Sequence, residues 1–327
     1  MFNLLTIGDM LIDTHIMIDN ATLECDLNKQ NCQLCLNYAA KIPIADSFQA
    51  LGGNAANMSV AAVKLGLKTT TLTSLGKDTN GEIIQKLLKK YKINTKFLVV
   101  DKNIKTRYSV VLNFKKERTI LSAHQKRNYK FPTNLPKTDW VYYTSLSEGY
   151  EPLQKKLLKF LNKHRDISLA YNPGSLQLQN LELVKEVLPL TDLLVVNLEE
   201  AKIVTGTPQD QQTDASLLIK NLQNLGAKEV VITDGERGAW AGDATQIWHC
   251  ESFPVDVVAK NGAGDAFSAG YLAAIFYKKP IDIALSWCIA NSSSVISTHG
   301  PEKNLLTQKE MAKAISKFSS IKPVRIT

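Results

Sequence analysis

Four short apolar runs, 140–144, 168–171, 193–196 and 230–233, are followed by Ser145, Asn172, Asn197 and Asp234-Gly235, with helical stretches between them. Continuous rather than alternating hydrophobicity over four or five residues marks strands buried on both faces, the signature of a parallel sheet covered by helices. A fifth run, 4–7, ends in the same way at Gly8-Asp9, and it leads into a helical pattern at 55–65, a strand at 69–74 and an amphipathic stretch at 83–91. This β-α alternation predicts an α/β fold with a mostly parallel sheet between helical layers. Ligands of such sheets gather beyond the carboxyl ends of the strands, so the polar residues that close the runs are expected to face one crevice.

The alternation is interrupted twice. Residues 106–122 read as an antiparallel hairpin around a polar turn at 114–117, and 11–18 alternates while 36–44 looks extended. Three or four strands are therefore expected to form a small separate sheet, contributed by about 11–48 and 104–124, serving as a lid on a single domain, 1–327. The 39 Lys and Arg against 31 Asp and Glu give a net charge of +8. These charges are scattered, without a concentrated basic and aromatic motif, which argues against nucleic acid and suits an anionic small molecule such as a nucleotide. The first seven residues carry no Lys or Arg and no apolar run reaches about 18 residues, so a cytoplasmic protein without a membrane partner is expected. Of the five cysteines, Cys32 and Cys35 form a CxxC close to Cys25, but no fourth ligand completes a zinc set. They are read as free thiols.

Two segments carry chemistry. Residues 261–270, Asn-Gly-Ala-Gly-Asp-Ala-Phe-Ser-Ala-Gly, form a glycine loop opening a helix of small residues that continues to about Phe276. Backbone amides at Gly262, Ala263 and Gly264 can approach an anion there, helped by the helix terminus. Asp265 reads either as a helix cap or as a reactive carboxylate whose pKa the helix terminus lowers. The third glycine of a dinucleotide fingerprint is missing, which counts against an oxidoreductase. Upstream, Gly52-Gly53-Asn54-Ala55-Ala56-Asn57 starts another helix, where paired glycines allow close approach to a polyol and Asn57 offers a donor and an acceptor to hydroxyls.

Together the segments resemble the PfkB, or ribokinase-like, carbohydrate kinase family, and the resemblance runs through nearly the whole chain. Gly8 with Asp13 is similar to the family's first strand and substrate aspartate, and Gly52, Gly53 and Asn57 to its amino-terminal signature. Asn197-Leu198-Glu199-Glu200 resembles its NxxE, Thr233 to Gly238 its TxGxxG turn, and Gly262 to Asp265 its carboxyl-terminal signature. The resemblance implies a three-layer ribokinase-like core with a β-lid and transfer of the γ-phosphoryl group of ATP to a hydroxymethyl group. Asp265 is then the catalytic base, with Gly262, Ala263 and Gly264 stabilising the transferring group. Asp13, Gly52, Gly53, Asn57 and Arg107 fall to the acceptor, and Asn197, Thr233, Gly235, Gly238 and Asn291 to the nucleotide. Asn197 and Glu200 organise Mg²⁺ through water. Lys126 and Arg127 join Arg107 as lid cations able to meet an acceptor phosphate or carboxylate.

The chain departs from the family at Ala259-Lys260, where an Asp-Thr pair usually serves a monovalent cation; this implies K⁺-independent activity, with the Lys260 ammonium or nothing in the ion's place. The acceptor is a sugar or a nucleoside, and sugar-phosphate kinases and a catalytically silent sugar sensor stay open as alternatives. Pairing of lid edges in a homodimer is a further expectation.

Overall fold

The computed structural model describes residues 1–26, 32–115, 117–123, 125–135, 137–258, 261–298 and 303–326. Its nine-stranded sheet runs, edge to edge, Val324–Arg325, Ile247–Cys250, Ala239–Gly242, Glu229–Thr233, Leu193–Asn197, Ser168–Tyr171, Thr138–Tyr143, Phe2–Ile7 and Thr69–Leu72. The six strands from Glu229–Thr233 to Thr69–Leu72 are parallel, and the remaining three extend the sheet antiparallel. Alternate residues feed two cores. Leu4, Tyr142, Ala170 and Val195 pack with helices Asn54–Lys64, Ala263–Phe276 and Ile281–Ile296. Leu5, Val141, Leu169 and Val196 pack on the other face with helices Glu151–Lys163, Leu198–Thr205 and Ala215–Asn224. This double burial is why the strands are legible as unbroken apolar runs.

The small sheet expected as a lid has four strands in the order Glu117–Ser122, Arg107–Phe114, Leu11–Met17, Asp46–Gly52. It leaves the core at Gly8–Met10 and returns through Gly53, whose φ is +91° and where an added Cβ would stand 2.6 Å from the Asp9 carbonyl oxygen, so only glycine makes the turn without strain. The expected strand at 36–44 is absent. Those residues are largely exposed, and Pro43 has no amide to give a ladder; the strand begins downstream at Asp46.

A second correction concerns the cysteines. Strands Thr22–Cys25 and Cys32–Cys35 form a separate hairpin in which Cys25 and Cys32 are directly opposed, Cα atoms 4.0 Å apart, and disulfide-bonded. Cys35, Cys250 and Cys288 are free. Alkylation under denaturing, non-reducing conditions is expected to label these three cysteines, and all five after reduction. Labelling of all five without reductant contradicts the pairing. Among the described residues, no helix is long and apolar enough to cross a membrane.

Candidate active site

Asp265 lies in the first turn of the Ala263–Phe276 helix, after Gly262, which takes the left-handed conformation at φ 72°. The helix is built to pack closely: a Cβ on Gly270 would lie 2.8 Å from the Cα of Cys288 on the neighbouring Ile281–Ile296 helix. The Asn54–Lys64 helix packs on its other side and brings Asn57 to the carboxylate, where its Nδ2 donates to Asp265 Oδ2 at 2.8 Å. Asn57 therefore orients Asp265 with its amide nitrogen.

Burial pushes Asp265 up to about 7, opposed by the Asn57 hydrogen bond, with Asp13 raising it further and Arg118 lowering it. The helix terminus alone suggested the reverse. Loss of water from a carboxylate enclosed by two helices and the lid outweighs the partial charges of one helix end. A carboxyl poised near neutrality matches the requirement for a general base. If Asp265 is that base, kcat/KM is expected to be flat above about pH 8 and to fall tenfold per unit below about pH 6, since only the ionised form accepts a proton. A profile level down to pH 5 contradicts this.

Asp13 projects from lid strand Leu11–Met17 and accepts a hydrogen bond from Ser109 Oγ on the adjacent strand. Burial raises its pKa, while Ser109, His15 and two arginines pull it down. Gly52 exists to admit this side chain: a Cβ there would come within 2.2 Å of Asp13 Oδ2.

On the other side of the Gly262–Asp265 turn lies a cleft of about 600 Å³. Thr233, Gly235 and Gly238 line it together with Ala263 and Gly264, so the strand-turn motif and the glycine turn before Asp265, distant in sequence, share one cavity. Val255, Phe267, Ile289 and Ile296 give it apolar walls suited to a planar base. Gly238, at φ 85°, lets the chain pass Cys250, whose carbonyl oxygen a Cβ would meet at 2.0 Å, and a Cβ on Gly264 would meet nothing within 4 Å. That open direction gives a phosphate room at the helix start.

Asn197 and Glu200 form a reciprocal capping box: Asn197 Oδ1 accepts from the Glu200 amide at 2.8 Å, and Glu200 Oε2 accepts from the Asn197 amide at 2.9 Å. Asn197 is paired across the sheet with Thr233, so both stand beside the cleft. Burial raises the pKa of Glu200, with its Asn197 hydrogen bond opposing and Glu199 adding to the rise, which marks a carboxylate short of positive charge. Oxygen donors of this kind fit a hard cation. Among the described residues, no group of three or more His, Cys, Asp or Glu forms a metal cage.

Three candidates stand elsewhere than expected. Asn291 is fully buried, donating to the Ala266 carbonyl at 2.7 Å and accepting from the Leu306 amide at 3.1 Å. It staples two helices to the chain that follows and does not line the cleft. Arg107, 7% exposed, is held by Asp9 Oδ2 at 3.0 Å and Ser122 Oγ at 3.1 Å. Arg127 is buried on the carbonyls of Ser74 and Lys105. Lys126 is exposed, and Ala259 and Lys260, with the cation question they carry, lie outside the described residues. Sequence reasoning left out Ser109 and Arg118, both of which act on the two site carboxylates or one of them. Strict alternation along the hairpin, which puts every second residue on the site side, was the signal available for both.

The sequence profile of the pfkB family carbohydrate kinase matches residues 16–308. The chain belongs to this family. It is 23% identical to a ribokinase of Haemophilus influenzae over 80% of this chain and 86% of that protein. It is 22% identical to an ATP-dependent 6-phosphofructokinase of Thermoanaerobacterium thermosaccharolyticum, over 84% and 81%. The fold matches the solved structure of a putative ribokinase II from E. coli in complex with ATP and Mg²⁺, with TM-score 0.76 and 18% identity over 97% of this chain and all of that one. A carbohydrate kinase of this family transfers phosphate from ATP to a sugar, and the fold is ribokinase-like.

Proposed function

We propose that this pfkB-family kinase moves the γ-phosphoryl group of ATP to a hydroxymethyl group of a sugar-containing acceptor, with Asp265 as the base. The observation that carries the assignment is the place of Asp265: hydrogen-bonded to Asn57, near-neutral in pKa, and at the turn between the nucleotide cleft and the Asp13 side. The acceptor hydroxyl meets Asp265, while Asp13 and the carbonyl oxygen of Asn57 fix the neighbouring hydroxyls. Ionised Asp265 receives the hydroxyl proton as the oxygen attacks phosphorus and the bond to the ADP oxygen breaks. Amides of Gly262, Ala263 and Gly264 face the charge on the transferring group. Mg²⁺, where bound, supplies neutralisation of the phosphates, and Asn197 and Glu200 would hold it through water. Thr233, Gly235 and Gly238 form the nucleotide wall.

The same reading carries a cytoplasmic location and a homodimer. Strands Glu117–Ser122 and Asp46–Gly52 are the two edges of the lid sheet, and edge-to-edge pairing would cover them. Light scattering after size exclusion is expected to give twice the monomer mass; a monomer alone at micromolar concentration rejects the dimer.

ADP release in the presence of ribose, fructose, 2-keto-3-deoxygluconate, fructose 6-phosphate, adenosine, cytidine or inosine tests the assignment. Turnover confined to one acceptor class supports it, and ATP binding without transfer to any acceptor points to a silent sensor instead.

A further inference from the structure

Asn113, His15 and Asn261 stand in a row that runs from the small sheet to the glycine turn before Asp265. His15 lies on strand Leu11–Met17, opposite Phe48 on one side and Val111 on the other. Its ring is stacked on Phe48, with centroids 4.5 Å apart and planes within 6°, and the residue is 2% exposed. Asn113, on strand Arg107–Phe114, donates from Nδ2 to the carbonyls of Val111 at 3.0 Å and Ile16 at 3.3 Å. His15 Nδ1 is 3.5 Å from this Nδ2 and 3.4 Å from Nδ2 of Asn261, the residue before Gly262.

Both neighbours of Nδ1 are amide nitrogens, which donate and do not accept. Nδ1 is therefore the acceptor, and the proton of the neutral imidazole is on Nε2. The Asn113 amide hydrogens are committed to main-chain carbonyls, which leaves Asn261 as the donor to Nδ1. Stacking on Phe48 fixes the ring plane, and with it the direction in which Nδ1 points.

This contact lies between the two carboxylates of the site. Residues two apart on a strand share a face and are about 7 Å apart, so His15 is the neighbour of Asp13 on the face that meets Asn261. Asn261 in turn precedes the left-handed Gly262 that opens the helix of Asp265. The strand that carries Asp13 and the turn that delivers Asp265 are thus tied to each other. An acceptor held by one carboxylate and activated by the other depends on that tie, since a misplacement of about 1 Å costs on the order of 100-fold in rate.

We propose that His15 and Asn261 are positioning residues, whose contact joins the small sheet to the glycine turn and fixes Asp13 relative to Asp265. The proposal rests on the kinase reading above. Asn261→Ala and His15→Phe, singly and together, and His15→Gln are compared with the wild type in two measurements. Kinetics with ATP and ribose, fructose, fructose 6-phosphate or adenosine are expected to show a roughly tenfold fall in kcat/KM for the acceptor in each single variant, with KM for ATP within about twofold. The double variant is expected to lose no more than either single one, because breaking the contact from one end breaks it from both. His15→Gln, whose Oε1 accepts from the Asn261 amide, is expected to recover part of the loss. A loss of about 100-fold in the double variant, or a rise in KM for ATP as large as the acceptor effect, overturns the proposal. Hydrogen exchange of the free protein decides it without ATP or acceptor. The amides of 11–17 are expected to exchange faster in Asn261→Ala and in His15→Phe, and no faster still in the double variant; unchanged exchange in both single variants overturns the joint. A wild type that transfers phosphate to no acceptor overturns the kinase reading, and the exchange result then decides the joint alone.

Discussion

Replacing Asp265 by Asn is expected to lower kcat by about 10³-fold while moving KM for either substrate less than about threefold. The substitution keeps the shape of the side chain and an oxygen to accept from Asn57 Nδ2, which sits at 2.8 Å in the wild type. It removes only the capacity to take a proton. The variant should also melt no lower than wild type. Burial raises the folded-state pKa of Asp265 from its ordinary 3.8 to about 7, so ionisation opposes folding. That cost is absent below the ordinary value, grows as pH rises between the two, and stays constant above about 7; an amide escapes it. A drop in kcat accompanied by a large fall in melting temperature would instead identify Asp265 as a structural carboxylate.

Arg107→Ala is expected to have the largest effect on stability. The Arg107–Asp9 pair is almost fully enclosed, at 7% and 2% exposure, and it joins the first residue of a lid strand to the end of the first core strand. Removing one partner of a buried pair typically costs about 3–5 kcal/mol, because the other charge stays buried without compensation. Asp9 retains hydrogen bonds from Tyr129 Oη at 2.7 Å and from the amide and hydroxyl of Ser147 at 2.9 and 2.6 Å. These donors hold the cost to the lower end, about 3 kcal/mol, seen as a fall of roughly 5–10 °C in Tm. Loosening the hinge should also raise the acceptor KM. A Tm within about 1 °C of wild type would show that the pair contributes specificity of lid position rather than stability.

The parallel strands were legible because both faces of each are buried, leaving unbroken apolar runs at 168–171 and 193–196. The antiparallel extension, Ala239–Gly242 with Ile247–Cys250 and Val324–Arg325, was not, since short strands with mixed composition at a sheet edge carry little pattern. At the site, backbone-determined features were readable: the glycines at 52, 53, 238 and 262 occupy positions where a side chain would collide or the backbone turns left-handed. Long-range side-chain pairings were not. Nothing local in Arg107 says that Asp9, 98 residues away, will claim it, and nothing in Asn291 says that its partners are the Ala266 carbonyl and the Leu306 amide. Asn197 and Glu200 show a third case. Asn-x-x-Glu before a helix is the pattern of a capping box, so the same spacing that suggests a cation site also closes a helix end, and one carboxylate can do both through its two oxygens.

The lid cysteines carried a fourth lesson. Spacing alone left Cys25, Cys32 and Cys35 as equivalent thiols, whereas the hairpin register opposes Cys25 to Cys32 and sets Cys35 opposite Thr22.

The most direct test of the central claim is mass spectrometry of the acceptor after incubation with ATP and Mg²⁺, run in parallel for wild type and Asp265→Asn at pH 8. The account predicts an acceptor one phosphoryl group heavier, formed in step with ADP, with product formation about 10³-fold slower in the variant. Unmodified acceptor with ATP hydrolysed to ADP and phosphate, or equal product from both proteins, would contradict it.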